Sequence, residues 1–319
     1  MEQIMINHYV HFSRLVQGFW RANEWKMTAK ELNYFINELV ERGITTMDHA
    51  DIYGDYQCES LFGNALDLSP ELRNKIQIVT KCGIILPSKQ FDFTNGHRYD
   101  LSSKHIVKSV EQSLINLNVD YLDSLLIHRP SPLMDPEQVA DALTKLVKQG
   151  KLKSFGVSNF NHSQYQLLNQ YIMKERLHIS INQLELSPYH VDSLQDGTMD
   201  SMYQNHVQIM AWSPFAGGKI FDKEDIKAQR IMKVVQSIAD KYGVSDTAVM
   251  IAWLVKIPHS IMPILGTSQL KRIDQAIEGL QLNLDDQSWF DIYTAIIGQD
   301  IPQTYLLLNH KGAYHDKRR

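Results

Sequence analysis

The feature that most constrains this chain is an alternation. Short apolar runs of strand length are separated by amphipathic stretches of helix length, and the pattern repeats along most of the sequence. The runs fall at 45–48, 76–81, 121–128, 154–158, 180–185, 208–213 and 260–265. Helical periodicity occupies 29–42, 56–66, 103–117, 136–149, 163–175 and 225–242. Gly43 and Gly150 read as helix stops, and Asp135 before Pro136 reads as an N-cap followed by a first-position proline. A helix ahead of residue 45 requires one more strand upstream, near 15–20, which brings the strands to eight.

Strands that alternate with helices imply βαβ units and a parallel sheet. Eight of them favour closure into a (β/α)8 TIM barrel over an open doubly wound sheet. The open sheet would more often carry GxGxxG after an early strand, and Gly217-Gly218 is the only glycine pair here. Barrels commonly exceed 250 residues as one domain, so 1–319 is expected to be a single barrel with long loops at the C-terminal face of its strands. Apolar residues make up 44% and charged residues 21%, enough for a large core without disulfides. Net charge is −4, which gives no sign of a nucleic-acid partner. Lys317-Arg318-Arg319 read as a solvated tip. Cys58 and Cys82 form no CxxC pair, so thiols in a reducing, cytoplasmic setting are expected. No secretory leader and no apolar run of 18 residues stand out, so neither export nor a membrane span is expected.

In such a barrel, chemistry gathers at the C-terminal strand ends. Asp48, Lys81, His128, Ser158-Asn159, Gln183, Trp212-Ser213 and Gly266-Thr267 all fall there. Singly, each has a bland reading. Lys81 could snorkel, Asp48 could cap a turn, His128 could be structural, and Tyr53 could be an ordinary half-buried aromatic. Jointly they suit proton donation to a carbonyl oxygen while hydride arrives at carbon. Lysine beside a phenol lowers its pKa, an aspartate holds the lysine, and a histidine orients the carbonyl.

Asp48-His49-Ala50-Asp51-Ile52-Tyr53-Gly54 resembles the D-x-A-x-x-Y-G segment of the aldo-keto reductases. Val79-Thr80-Lys81, Leu125–Pro130, Phe155–Phe160 and Asn182–Pro188 are similar to further segments of that family, in order. Ala211-Trp212-Ser213-Pro214-Phe215 looks like its bacterial general-reductase subgroup. The resemblance implies NADPH-dependent reduction of aldehydes or ketones. Asp48, Tyr53, Lys81 and His128 would form the catalytic tetrad, with Tyr53 as general acid.

By the same resemblance, Ser158, Asn159 and Gln183 would hold the nicotinamide carboxamide and Trp212 would stack on the ring. Ser213, Pro214, Phe215, Gly218, Gly266, Thr267 and Ser268 would line the path of the dinucleotide, with Trp20 at the rim. Ser268 also reads as an N-cap. Arg272 would meet the 2′-phosphate, favouring NADPH over NADH. Many members carry lysine where this chain has Gly266. The stretch 84–98, with Ile85, Phe91 and Phe93, reads as a long loop and lid. Tyr56, Trp289, Phe290 and Tyr305 are further candidates for the mouth. His97 and His105 read as surface residues. His49 stands where the family often has threonine and could touch substrate. No HExxH or other metal pattern is present, so no metal is expected. A monomer is the favoured state. The rival from another class is a nicotinamide-binding regulatory subunit with little turnover.

Overall fold

A computed structural model describes residues 1–88 and 96–301 of the chain. Eight parallel strands close into a barrel: β1 (Val16–Gly18), β2 (Thr46–Asp48), β3 (Gln77–Cys82), β4 (Ser124–Ile127), β5 (Phe155–Ser158), β6 (Ile181–Glu185), β7 (Gln208–Trp212) and β8 (Met262–Leu265). Each pairs with its sequence neighbour, and β8 pairs with β1 through Ile264 and Leu265.

The helices on the outside are α1 (Ala29–Glu41), α2 (Cys58–Leu66), α3 (Ser103–Leu117), α4 (Pro136–Lys148), α5 (His162–Lys174), α6 (Thr198–Gln204), α7 (Ile226–Tyr242), α8 (Asp246–Lys256), α9 (Leu270–Gln281) and α10 (Asp286–Ile297). Their starts follow capping chemistry. Thr28 with Glu31 and Asn161 with Gln164 form capping boxes on α1 and α5, and Asp135 caps α4 ahead of Pro136. Left-handed Gly43 and Gly150 follow α1 and α4, as expected.

Several expectations are corrected. The helix expected over 56–66 starts at Cys58, because Gly54, Asp55 and Tyr56 all have positive φ and cannot continue a helix. The strand expected over 121–128 is shorter, with Leu122 touching Leu152 through an isolated bridge. The stretch 84–98 is not plain loop at its base, since Ile84–Ile85 pairs antiparallel with Arg98–Tyr99. Phe91, Phe93, Tyr305 and Lys317–Arg319 lie outside the described residues.

Two apolar layers hold the fold. The larger lies between barrel and helices. The smaller fills the barrel: Val16, Val79, Leu126, Ile181, Met210, Met262 and Ile264 meet Ile4, Ile6, Val10 and Phe12 from an N-terminal hairpin, Gln3–Met5 with His11–Ser13. The hairpin plugs the end opposite the chemistry. No helix among the described residues is long and apolar enough to cross a membrane.

Candidate active site

Strand side chains alternate faces, so a residue two places beyond an inward apolar residue also points inward. The barrel plug contains Val79, Leu126, Ile181 and Met210. Two residues further on stand Lys81, His128, Gln183 and Trp212. Asp48 follows inward Thr46 in the same way. The pleat therefore delivers a ring of functional groups to one mouth, just above an apolar floor.

Lys81 is the centre of that ring. Its ammonium donates to both Asp48 oxygens at 2.9 and 2.8 Å, to the His49 carbonyl at 2.7 Å, and to Tyr53 Oη at 3.0 Å. Gln183 Nε2 donates to Asp48 Oδ1 at 2.8 Å. Burial alone disfavours the ammonium, but Asp48 and the Tyr53 oxygen outweigh it and raise the Lys81 pKa. Burial pushes the Asp48 carboxyl up, against the pull of Lys81 and Gln183. Three donor contacts converge on that carboxylate, which is the environment of an ionised acid held for its charge.

Tyr53 corrects one expectation. Lys81 does pull its pKa down, but burial and the Asp48 charge push harder, and the phenol sits above its ordinary value. The ring of Tyr53 meets that of His128 edge to face at 6.0 Å. Burial, then the Lys81 and Arg129 cations, hold His128 well below the ordinary histidine value, so its imidazole is neutral. Its Nδ1 is buried without a partner among the described residues.

The amide cluster lies beside this group. Ser158 Oγ donates to the Gln183 carbonyl at 3.0 Å and accepts from Asn159 Nδ2 at 2.8 Å. Asn159 Oδ1 accepts from Trp212 Nε1 at 2.9 Å. Asn159 and Ser213 have left-handed backbones at φ of 60° and 50°. Non-glycine residues pay for that conformation, and here it recurs at adjoining strand ends.

The remaining expected residues are more scattered. Pro214 is buried, Phe215 half-buried, and Gly218, Gly266 and Arg272 exposed. A Cβ added at Gly217, Gly218 or Gly266 would meet nothing within 4 Å, so backbone there is open to a close approach. The Gly218 N–H is taken by the Phe215 carbonyl at 2.9 Å. Ser268 does not cap α9: its N-cap is Gln269, without a side-chain cap. Thr267 Oγ1 instead accepts from the Gln269 N–H at 3.1 Å. Trp20 stands 57% exposed past β1, with Arg21 over its ring at 4.9 Å.

Other expectations for the mouth fail for packing reasons. His49 is fully buried, stacked on Phe19 at 4.7 Å and edge-on to Phe62 at 4.5 Å. It alternates away from Asp48 into the helix layer and does not reach substrate. Trp289 stacks on Trp253 at 5.1 Å, and each indole N–H donates to the other's carbonyl, at 3.1 and 3.0 Å. It joins α10 to α8, and Phe290 packs against its edge at 5.0 Å. His105 is half-buried and bonds Ser109, while His97 is exposed. Tyr56 Oη accepts from the Leu86 N–H at 2.9 Å and so ties the 84–88 segment down.

Glu59 went unread in the sequence. It is buried on α2, accepts from Thr80 Oγ1 at 2.6 Å and from Asn116 Nδ2 at 3.3 Å, and links β3 to α2 and α3. An acid five residues past Gly54 on an otherwise apolar helix face was the available signal.

A barrel with this Asp–Lys–Tyr–His cluster at its C-terminal mouth has the architecture of a nicotinamide-dependent oxidoreductase. The chain belongs to the aldo/keto reductase family, whose model matches residues 14–297. It is 47% identical to the uncharacterized oxidoreductase YcsN of Bacillus subtilis over 303 residues, covering 95% of this chain and all of that protein. It is 41% identical to a 6-dehydroglucose reductase of Agrobacterium fabrum, covering 94% of this chain and all of that one. Among solved structures, the thermostable aldo-keto reductase Tm1743 bound to epalrestat matches with a TM-score of 0.74 at 22% identity, over 92% of this chain and all of that one, which supports the fold.

Proposed function

We propose that this protein reduces aldehyde or ketone carbonyls to alcohols with NADPH, with Tyr53 as the proton donor. The observation that carries this reading is the buried Lys81 ammonium, bonded at once to Asp48 and to Tyr53 Oη. Nicotinamide, when bound, supplies hydride to the carbonyl carbon. The chain's own residues do the rest. His128, kept neutral, offers an N–H to the carbonyl oxygen and sets its position beside Tyr53. As charge builds on that oxygen, the Tyr53 proton passes to it and the new O–H bond completes the alcohol. Lys81 then stabilises the phenolate left behind, and Asp48 keeps Lys81 charged and aimed. A raised Tyr53 pKa suits this direction, since the phenol stays loaded with its proton at neutral pH.

The mouth fits a dinucleotide. Ser158, Asn159 and Gln183 offer the hydroxyl and amides to hold a carboxamide flat, and Trp212, fixed by Asn159, offers a ring face. The open backbone at Gly217, Gly218 and Gly266, and the start of α9 without a side-chain cap, suit phosphates. Arg272, exposed in the first turn of α9, favours the 2′-phosphate and hence NADPH.

The regulatory-subunit reading is separated by turnover. Wild-type protein is assayed for NADPH oxidation against a panel of aldehydes, ketones and quinones. A sugar-derived aldehyde belongs in the panel because a relative acts on 6-dehydroglucose. Turnover of at least one carbonyl is expected. Tight NADPH binding with no turnover across the panel would favour the regulatory subunit instead.

A further inference from the structure

Arg129 follows His128 at the end of β4. It is half-buried, and its guanidinium lies over the Trp212 ring at 5.7 Å. Trp212 is itself fixed by Asn159, so the cation is held within the mouth and not on an outer surface. Its guanidinium has no ion pair or hydrogen bond among the described residues. Other arginines with little exposure behave differently. Arg14 bonds the Val255 carbonyl and pairs with Glu2, Arg42 pairs with Glu38 and Asp274, and Arg73 pairs with Asp123.

The neighbouring charges do not answer Arg129 either. Lys81, the other cation acting on His128, is matched by Asp48. The Arg129 guanidinium therefore lies in the mouth without a counter-charge among the described residues. A half-sheltered guanidinium presents a planar fork of N–H donors that matches a carboxylate in two parallel bonds. Because His128 next to it would hold the reacting carbonyl, an acid group on the same small molecule can meet the fork.

We propose that Arg129 is a specificity-determining residue that binds a carboxylate carried by the carbonyl substrate. The proposal rests on the reductase reading above. Its substrates would be aldehyde or keto compounds with an acid group a short distance from the reacting carbonyl. An aromatic pair serves as probe: 4-carboxybenzaldehyde, which is anionic, and methyl 4-formylbenzoate, its neutral ester.

The measurement is the ratio of kcat/KM for the acid over that for the ester, in wild type, R129Q and R129K. Benzoate titrations followed by tryptophan fluorescence run beside it, since Trp212 lies under the guanidinium. Wild type is expected to prefer the acid by roughly 10- to 100-fold. R129Q should bring the ratio close to one whatever its absolute rate, and R129K should retain part of the preference as a point charge without the fork. A wild-type ratio near one, or an undiminished ratio in R129Q, overturns the proposal while leaving the reductase reading intact. If neither aldehyde is turned over, the carbonyl panel above judges the reductase reading and binding decides the carboxylate site. Benzoate affinity lost in R129Q then supports the carboxylate site, and equal affinity in both proteins overturns it.

Discussion

Lys81 is the residue on which the site turns. Replacing it with methionine leaves the Asp48 carboxylate buried beside Gln183 without its cation. Removing one partner of a buried pair costs about 3–5 kcal/mol, so Lys81→Met should show a marked loss in denaturant unfolding as well as in turnover. His128 yields a pH expectation. Its pKa lies well below the ordinary histidine value, so it stays neutral across pH 6–8 and kcat should show no histidine limb there. A limb near 6.5 in the kcat profile would contradict the buried, neutral imidazole. His49 gives the matching stability test. Burial and then Lys81 lower its pKa from 6.5 to about 3, so the unfolded chain binds a proton that the folded one refuses. Its stability contribution is full above pH 6.5 and is lost as pH falls toward 3. Both ring nitrogens are buried without partners among the described residues, so His49→Leu should be near neutral at pH 7. At pH 4 it should outlast wild type by on the order of 3 kcal/mol. Parallel acid-unfolding curves for the two proteins would refute this. Residue roles were only partly legible in the sequence. Asp48, Lys81 and His128 stand at strand ends, where the pleat fixes their direction, and Tyr53 comes from the turn that follows Asp48. His49 was misread because a single step along a strand reverses the face. The Tyr53 shift was misread because burial depth is not written in a motif.

Elements place these residues, and close backbone approach limits what they tolerate. Gly63 on α2 lies against α3, where a Cβ would run into the Asn116 carbonyl and the Leu117 backbone. Backbone on both sides cannot yield, so Gly63→Ala should destabilise by about 1–3 kcal/mol in chemical unfolding. The same shift would loosen Glu59, which joins α2 to the outer side of the strand carrying Lys81. At the other end of the barrel order, α9 begins without a side-chain cap, and Arg272 stands in its first turn. Arg272→Ala should lower kcat/KM for NADPH about tenfold or more and leave NADH nearly unchanged. Equal losses with both cofactors would remove the case for a 2′-phosphate contact. Most of these elements announced themselves. Helices with one apolar face and a cap, such as α4 behind Asp135, were readable. α8 was not: it is apolar on nearly every side because it is buried against Trp289 and the barrel, so it lacks the periodicity that marks a surface helix. The N-terminal hairpin was missed for another reason. Its strands are three residues each, too short for alternation to show.

At the scale of the whole molecule, one barrel separates stability from chemistry. Hairpin residues such as Phe12 close the lower end over Val79, Leu126 and Ile181, and the same strands open two residues later into Lys81, His128 and Gln183. The floor is apolar and buried, so the groups above it are held by packing before any substrate arrives. Closure was legible because eight strand–helix repeats leave few alternatives. The mouth's loops were less so, because their contacts, such as Tyr56 with Leu86, join residues far apart in sequence. The central claim is that Tyr53 gives its proton to a carbonyl held in this mouth. The direct test compares wild type and Tyr53→Phe in single-turnover NADPH oxidation with the best carbonyl of the panel, with NADPH affinity measured in both. The phenol's removal should cut the chemical step by about a hundred- to ten-thousand-fold while NADPH still binds. A Tyr53→Phe protein that oxidises NADPH at a rate near wild type would contradict the account.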